Sequence, residues 1–436
     1  MPHVFHILAF DPDDAQAALA QLPQAQAVFA LYGSDTRGEP YIGRTPNLRA
    51  RLEKLLQPST KHPRRLHLAG LVRQIRWLPT GSEFESLLKQ FSLLEEIYGA
   101  KALERMHLRA PAFVRFLGGN PYPRVTVTHR PSLREAAWVY GPFPSRAAAE
   151  RFSEESLKLF LLRRCTDDLA PSPNHPGCIY SEMKMCLAPC YKGCTDERYA
   201  EEAAAVEGFL ATRGESRLVA LRTARDQASA ELAFEAAAAL HAQVERVEAV
   251  QALAAELVRP LSQLRAVILQ AAASPDEVAV FLFEDGRLRG PVNQEAGRRE
   301  QGAVKQGAGN GEQGPARQGP GSRDEGTDGA LALLPPGAPA KTPRGVLEAR
   351  FDAVLAELSA PAPAPSTTVR QGHLALVKRW YYRPEARRAG EIFFPDGEGR
   401  WPVKAILRGV GRVAASQGKA SQPAGAAPRA AAAPTS

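Results

Sequence analysis

VFALYGSDTRGEPYIGRTPNLRARL, residues 28–52, decides how the front of the chain is read. Residues 28–31 and 41–42 are apolar or aromatic, as short buried strands require. Between them Gly33, Gly38 and Pro40 punctuate a polar stretch and supply turn conformations. The pattern predicts an antiparallel hairpin. Asn47 stands where its short side chain can accept from a free helix N–H, so a helix is expected over residues 48–56.

Residues 65–79 mix apolar and basic positions and contain a further strand. Ser82 precedes Phe84, Leu87, Leu88, Phe91, Leu94 and Ile97, a helical period, and Ser82 and Glu85 have the spacing of a capping box. The order β-β-α-β-α gives a small mixed α/β domain over residues 24–104. Residues 124–130 read as a strand and residues 145–162 as a helix that Ser145 can cap. Residues 195–211 and 215–250 are helical by period and by their Ala, Glu and Leu content. Residues 289–345 are dominated by Gly, Pro, Gln, Glu and Ala, a composition that predicts a disordered linker. A small C-terminal region is expected over 346–413, and an Ala/Pro/Ser tail, expected to be disordered, over 414–436. The fold class is therefore α+β, assembled from several modules.

The 436 residues carry a formal net charge of +8, which favours a polyanionic partner such as DNA. No run of eighteen apolar residues occurs, so no membrane span is expected, and the start lacks the pattern of a signal peptide. A cytoplasmic protein is the expectation. Lys61, Arg64, Arg65, Arg73 and Arg76 form a basic stretch that could track a DNA backbone, or simply be a solvated face. All five cysteines fall between Cys165 and Cys194, with spacing C-x12-C-x7-C-x3-C-x3-C. An odd number in one tight cluster argues for a metal or iron–sulfur site over a disulfide framework. Four thiolates can hold Zn²⁺ or a cubane cluster, and spacing alone does not choose.

These modules together resemble the front half of the C component of bacterial excinuclease ABC, the component that makes the incisions in nucleotide excision repair. Tyr41, Ile42 and Gly43, followed by Arg44, Asn47, Leu48 and Arg51, look like the second half of the GIY-YIG nuclease signature. LRRCTDD, HPGCIYSEMKMCLAPC and the preceding YGPFPS look like that family's Cys-bearing segment, with Cys165, Cys178, Cys186 and Cys190 as its four ligands. Over 120–205 the resemblance implies a Cys-rich module, and it favours a 4Fe-4S cluster over Zn²⁺. Leu232, Phe234, Glu235, Ala237, Ala238, Leu240 and Val244 resemble the UVR motif, a helical hairpin expected over 215–250. The resemblance implies that Phe234, Leu240 and Val244 meet a UVR-containing partner such as the B component of the same excinuclease. Residues 260–288 look like a remnant approach to the ribonuclease-H-like domain, whose strand-borne aspartates and paired helix–hairpin–helix motifs are not found here. Residues 373–394, with Lys378, Arg379, Arg383, Arg387 and Arg388 among aromatics, look like the tail of related nucleases.

For an active GIY-YIG site the resemblance assigns proton handling to Tyr41, phosphate grip to Arg51 and a water or phosphate contact to Arg44. A carboxylate would hold Mg²⁺ or Mn²⁺. Three positions depart from the pattern. Phe29 and Leu55 replace tyrosines, and Gln90 replaces the metal-binding glutamate. Glu83, Glu85 and Glu95 are the acidic side chains near Gln90; Glu85 and Glu95 are each five residues away, off its helical face. A metal-dependent nicking enzyme and a noncatalytic DNA-binding or recruitment protein are thus both on the table.

Overall fold

The structure, a computed structural model, describes residues 4–35, 38–56, 68–295 and 344–420. The first layer is built from β1 (His6–Ala9), α1 (Ala15–Ala20), β2 (Ala27–Tyr32), β3 (Tyr41–Thr45), α2 (Leu48–Leu56), β4 (Gln74–Pro79), α3 (Glu83–Tyr98) and α4 (Lys101–Arg105). Its four-stranded sheet has the order β1-β4-β2-β3, and every pairing is antiparallel. All six residues of β2 are buried because both faces are covered. Phe29 and Leu31 pack with Leu48, Leu52 and Leu56 of α2, while Val28, Ala30 and Tyr32 meet Leu93 of α3. The expected hairpin and both caps are present: Asn47 Oδ1 accepts from Ala50 N at 3.0 Å, and Ser82 Oγ from Glu85 N at 3.1 Å. Glu85 does not reach back to Ser82; its carboxylate accepts from Gly81 N at 2.9 Å. Strand β1 lies ahead of residue 24 and completes the sheet, with His6 opposite Trp77. Four residues at a sheet edge carry too little pattern to announce themselves.

The second layer comprises β5 (Ala112–Phe116), β6 (Val125–Thr128), β7 (Val139–Phe143), α5 (Arg146–Leu157), α6 (Ile179–Glu182), α7 (Asp196–Ala211), α8 (Glu215–Ala230), α9 (Phe234–Gln251) and β8 (Arg259–Pro260). Its sheet runs β6-β5-β7-β8, so two residues following the helical hairpin close it. The hairpin α8–α9 is no appendage. Leu218, Val244, Val247 and Val250 share one core with Phe116, Phe152 and Phe209.

The third layer corrects three expectations. β9 (Ala266–Ala271), β10 (Glu277–Glu284) and β11 (Arg287–Glu295) form a meander, and β12 (Glu391–Phe393) pairs with β9. Residues 260–288 and 346–413, read as separate pieces, therefore build a single sheet. Residues 289–295, assigned to the linker, are strand β11; Gly290 and Pro291 interrupt the strand pattern and explain the misreading. Helices α10 (Arg344–Leu358) and α12 (Val403–Ala420) cover one sheet face through Phe351, Leu358, Ile406 and Val410. Helix α12 thus runs through residues 414–420, which were expected in the tail, because Val410 and Val413 face the sheet. Residues 344–345, also assigned to the linker, open α10, and residues 296–343 and 421–436 lie outside the described residues.

Helix α11 (Thr367–Tyr381) covers the other face together with α3. Phe84, Leu87, Leu88, Phe91 and Leu94 of α3 pack with Ile268, Phe281, Leu374 and Trp380 in one cluster. α3 therefore serves two layers at once. Helix α11 comes so close that a Cβ on Gly372 would lie 2.0 Å from Phe91 Cζ. Beside it the His373 ring accepts from Leu288 N at 2.9 Å through Nδ1, and burial lowers its pKa to about 3, so the imidazole is neutral. Among the described residues no helix is long and apolar enough to cross a membrane.

Candidate nucleic-acid-facing site and cysteine cluster

The YIG segment lies on β3, an edge strand whose side chains alternate between the two faces of the sheet. Phe29 sits opposite Gly43 in the ladder, and a Cβ on Gly43 would come within 2.6 Å of Phe29 Cζ. Glycine is required there because the phenyl ring fills the space. Phe29 is fully buried and its ring centroid lies 6.2 Å from that of Tyr41, so Phe29 acts as a floor under the tyrosine. Tyr41 is 41% exposed, open to a ligand on the α2 side. Leu55 packs into the α2 core, where it contributes no hydroxyl. The Arg51 side chain is exposed and has no ion-pair partner among the described residues.

Arg44 is placed differently from Tyr41. The pleat turns it to the α3 face, where Nη1 bonds Glu83 Oε1 at 3.3 Å. Arg383, arriving from beyond α11, grips the same carboxylate with two bonds of 2.8 and 2.9 Å. The Arg383 bond, with added attraction from Arg44 and Arg379, holds the Glu83 carboxyl below its ordinary pKa despite opposing desolvation. Glu83 is thus an ionised carboxylate shared by two arginines. Sequence separation of three hundred residues hid the Arg383 partner. Glu85 is buried, with its pKa raised by desolvation, and its oxygen is engaged by Gly81. Gln90 is half-buried on α3. Mg²⁺ or Mn²⁺ does not fit this donor set: the position expected to hold it is the amide Gln90, Glu83 serves Arg44 and Arg383, Glu85 serves a backbone N–H, and Glu95 is five residues along α3, off the face of Gln90.

Of the basic stretch, Lys61, Arg64 and Arg65 lie outside the described residues. Arg73 spends Nη1 on the carbonyls of Gly70 and Val72 at 2.9 and 2.8 Å. Arg76 bonds Gln74 at 2.6 Å and covers the Tyr32 ring at 4.4 Å. In the late basic segment Arg388 lies over Tyr381 at 5.1 Å, so its stacking is internal.

The cysteines sit in a loop-rich stretch where Lys184, Ala188 and Lys192 adopt left-handed backbone conformations. All five thiols are free. Cys165, Cys178, Cys186 and Cys190 are close enough for charge on one to raise the pKa of another, although desolvation is the larger cause at Cys186 and Cys190. Backbone N–H groups of Ala188 and Tyr191 oppose that rise by bonding the Cys186 and Cys190 sulfurs. As arranged, no group of three or more His, Cys, Asp or Glu side chains among the described residues has the geometry to hold a metal ion. The donor chemistry nevertheless suits a soft metal: four unpaired thiols with amide donors turned toward two of them. Cys194 packs against the neighbouring core, and His175 is engaged through Nδ1 by Gly177 N at 3.0 Å.

A residue that sequence reasoning missed lies behind this cluster. Arg163 is 1% exposed. Its guanidinium bonds the Tyr122 carbonyl at 3.0 Å, the Asp167 carbonyl at 2.8 Å and Cys165 Sγ at 3.5 Å. Nη2 has no partner, and no carboxylate pairs with this buried charge among the described residues. LRRC reads as surface charge beside a cysteine; only the fold reveals the burial.

In the hairpin, Phe234 is 65% exposed, Leu240 half-buried and Val244 2% exposed. Val244 is occupied by the chain's own core. The open apolar residues are Val219, Leu232 and Phe234.

Residues 114–209, from β5 through α7 with all five cysteines, match the family profile of the UvrC/Cho excinuclease middle domain. Three similar curated proteins are each a UvrABC system protein C. That of Alcanivorax borkumensis is 30% identical over 284 residues, covering 64% of this chain and 45% of the relative. Those of Aromatoleum aromaticum and Pseudomonas protegens are 31% and 30% identical over 242 and 241 residues, each covering 55% of this chain and 39% of the relative. The chain thus spans less than half the length of these relatives. No solved structure matches it. Residues 114–209 are thus similar to the UvrC/Cho excinuclease middle domain, and more than half of the chain is similar to part of UvrABC system protein C.

Proposed function

We propose that this chain is a DNA-repair protein of the UvrABC system protein C kind, a DNA-binding or recruitment component whose GIY-YIG-like nuclease centre is catalytically impaired. The observation that carries this reading is the Arg44–Glu83–Arg383 cluster. In a metal-dependent nuclease the acids near the YIG strand must be free to hold a cation. Here Glu83 is committed to two arginines and Gln90 replaces the carboxylate. Tyr41 and Arg51 remain open, so phosphate can still be approached. Loss of several kcal/mol of metal stabilisation would lower the rate by orders of magnitude while leaving charge-driven binding intact.

The purified chain is expected to shift a labelled duplex at low salt, to release it as salt rises, and to leave the strands intact with Mg²⁺ or Mn²⁺. Robust nicking that Tyr41→Phe or Arg51→Ala abolishes would overturn the impaired-nuclease reading. Gln90→Glu is the companion variant: cleavage gained would place the defect at the metal position.

Within the same reading, Cys165, Cys178, Cys186 and Cys190 would hold a 4Fe-4S cluster, with Zn²⁺ the less favoured occupant, and the group would pin a segment that has little regular structure. Cys190→Ser should reduce iron and sulfide, or zinc, to a small fraction of the wild-type content and lower the melting temperature. Metal analysis after anaerobic purification checks this; a folded wild-type protein with neither metal would remove the role. The exposed Leu232 and Phe234 at the hairpin tip are suited to an apolar helical partner, such as the UVR hairpin of the excinuclease's B component.

A further inference from the structure

We propose that the groove between α5 and the α8–α9 hairpin is a phosphate-binding site, a second contact with the nucleic-acid backbone that is separate from the YIG domain. The inference rests on the reading that this chain engages DNA. The groove has a volume of about 630 Å³. Four cations line it from three directions: Arg151 and Lys158 from α5 and its end, Arg217 from α8 and Arg246 from α9. Glu155 is the acid in the lining, and it is paired with Lys158 at 2.7 Å. That leaves Arg151, Arg217 and Arg246 with no carboxylate within ion-pair distance among the described residues. Elsewhere on the same hairpin the arrangement differs: Arg222 is paired with Glu248 at 2.7 Å.

Arg217 supplies the sharper clue. Its guanidinium lies over the Phe160 ring at 4.7 Å, which orients the plane. Its Nε is buried and has no hydrogen-bond acceptor. With no carboxylate beside it among the described residues, this guanidinium can take an anionic acceptor from outside the chain. A phosphate ester supplies several anionic oxygens and matches the forked donors of an arginine. The floor, from Leu221, Val247 and Val250, contains no aromatic ring for bases to stack on, so the site addresses backbone and not sequence. The same chemistry is offered by a free polyphosphate, and the test separates the two sources.

The full chain is compared with the double variant Arg151→Gln/Arg246→Gln, both positions exposed, and with Arg217→Met. Binding of a fluorescent DNA duplex is followed by anisotropy across a salt series, and binding of inorganic tripolyphosphate by calorimetry. Melting curves verify that each variant is folded. Two lost phosphate contacts should weaken DNA binding at least tenfold at low salt and reduce the log–log salt slope by about 2. An arginine-dependent loss confined to tripolyphosphate would support the site with a free polyphosphate as its ligand. Unchanged affinity for both ligands in the folded double variant would overturn the proposal and leave the groove to a protein partner. Should the wild-type chain fail to bind DNA, the repair reading falls, and the tripolyphosphate arm still decides the groove.

Discussion

Replacing Gly372 with valine is expected to destabilise the protein by about 3 kcal/mol or more, at or beyond the upper end of ordinary overpacking. The first added carbon would lie 2.0, 2.5 and 2.6 Å from three atoms of the Phe91 ring. That ring is fully buried among α3, α11 and the third sheet, so it has nowhere to go. Either α11 moves off α3 or the shared core opens. Gly411, also helical, is the control: a Cβ there meets nothing within 4 Å. Gly411→Ala should be neutral or stabilise by up to about 1 kcal/mol. Urea unfolding of the three proteins checks both; a Gly372→Val midpoint equal to wild type would mean that α11 does not seat on α3.

Arg163→Met should cost about 3 kcal/mol or more, because the loss is not of one bond. The carbonyls of Tyr122 and Asp167 would lose their donors, and the space left by a side chain only 1% exposed would be filled by an apolar group that bonds neither. Cys165 would lose the nearest positive charge. Arg163→Lys should rescue little, since a single ammonium cannot reproduce a planar fork that spans two carbonyls and a sulfur. Thermal melts and thiol-reagent counts report the effect, with faster labelling of the cysteines in the variant. Wild-type melting of Arg163→Met would show that the guanidinium is dispensable.

What the sequence disclosed was local. The turn residues of the first hairpin, the Asn47, Ser82 and Ser145 caps and the period of α3 act within a few residues, and the structure has each of them. What it concealed was long-range. Strand β12 is three residues long and joins β9 from more than a hundred residues away. Strand β8 has two residues, too few for any alternation. The apolar stripe of α9 was legible, but Val244 could equally have served a partner or the interior, and only packing against Phe209 and its neighbours chose the interior. Pleat parity separated Tyr41 from Arg44, and the ion pairs of Glu83 depended on an arginine that no motif connects to it.

The double duty of α3 bears on how this protein can be divided. Its front-facing stripe completes the first sheet and its rear stripe completes the third, while α10, α11, β12 and α12 all lie between residues 344 and 420. A fragment ending at residue 295 would expose the apolar underside of α3 and one whole face of a three-stranded meander. A fragment starting at 344 would be three helices and a strand with no sheet to lie on. Neither is a portable domain: the two fragments are complementary halves, and transplanting either into another protein would carry an adhesive surface with it.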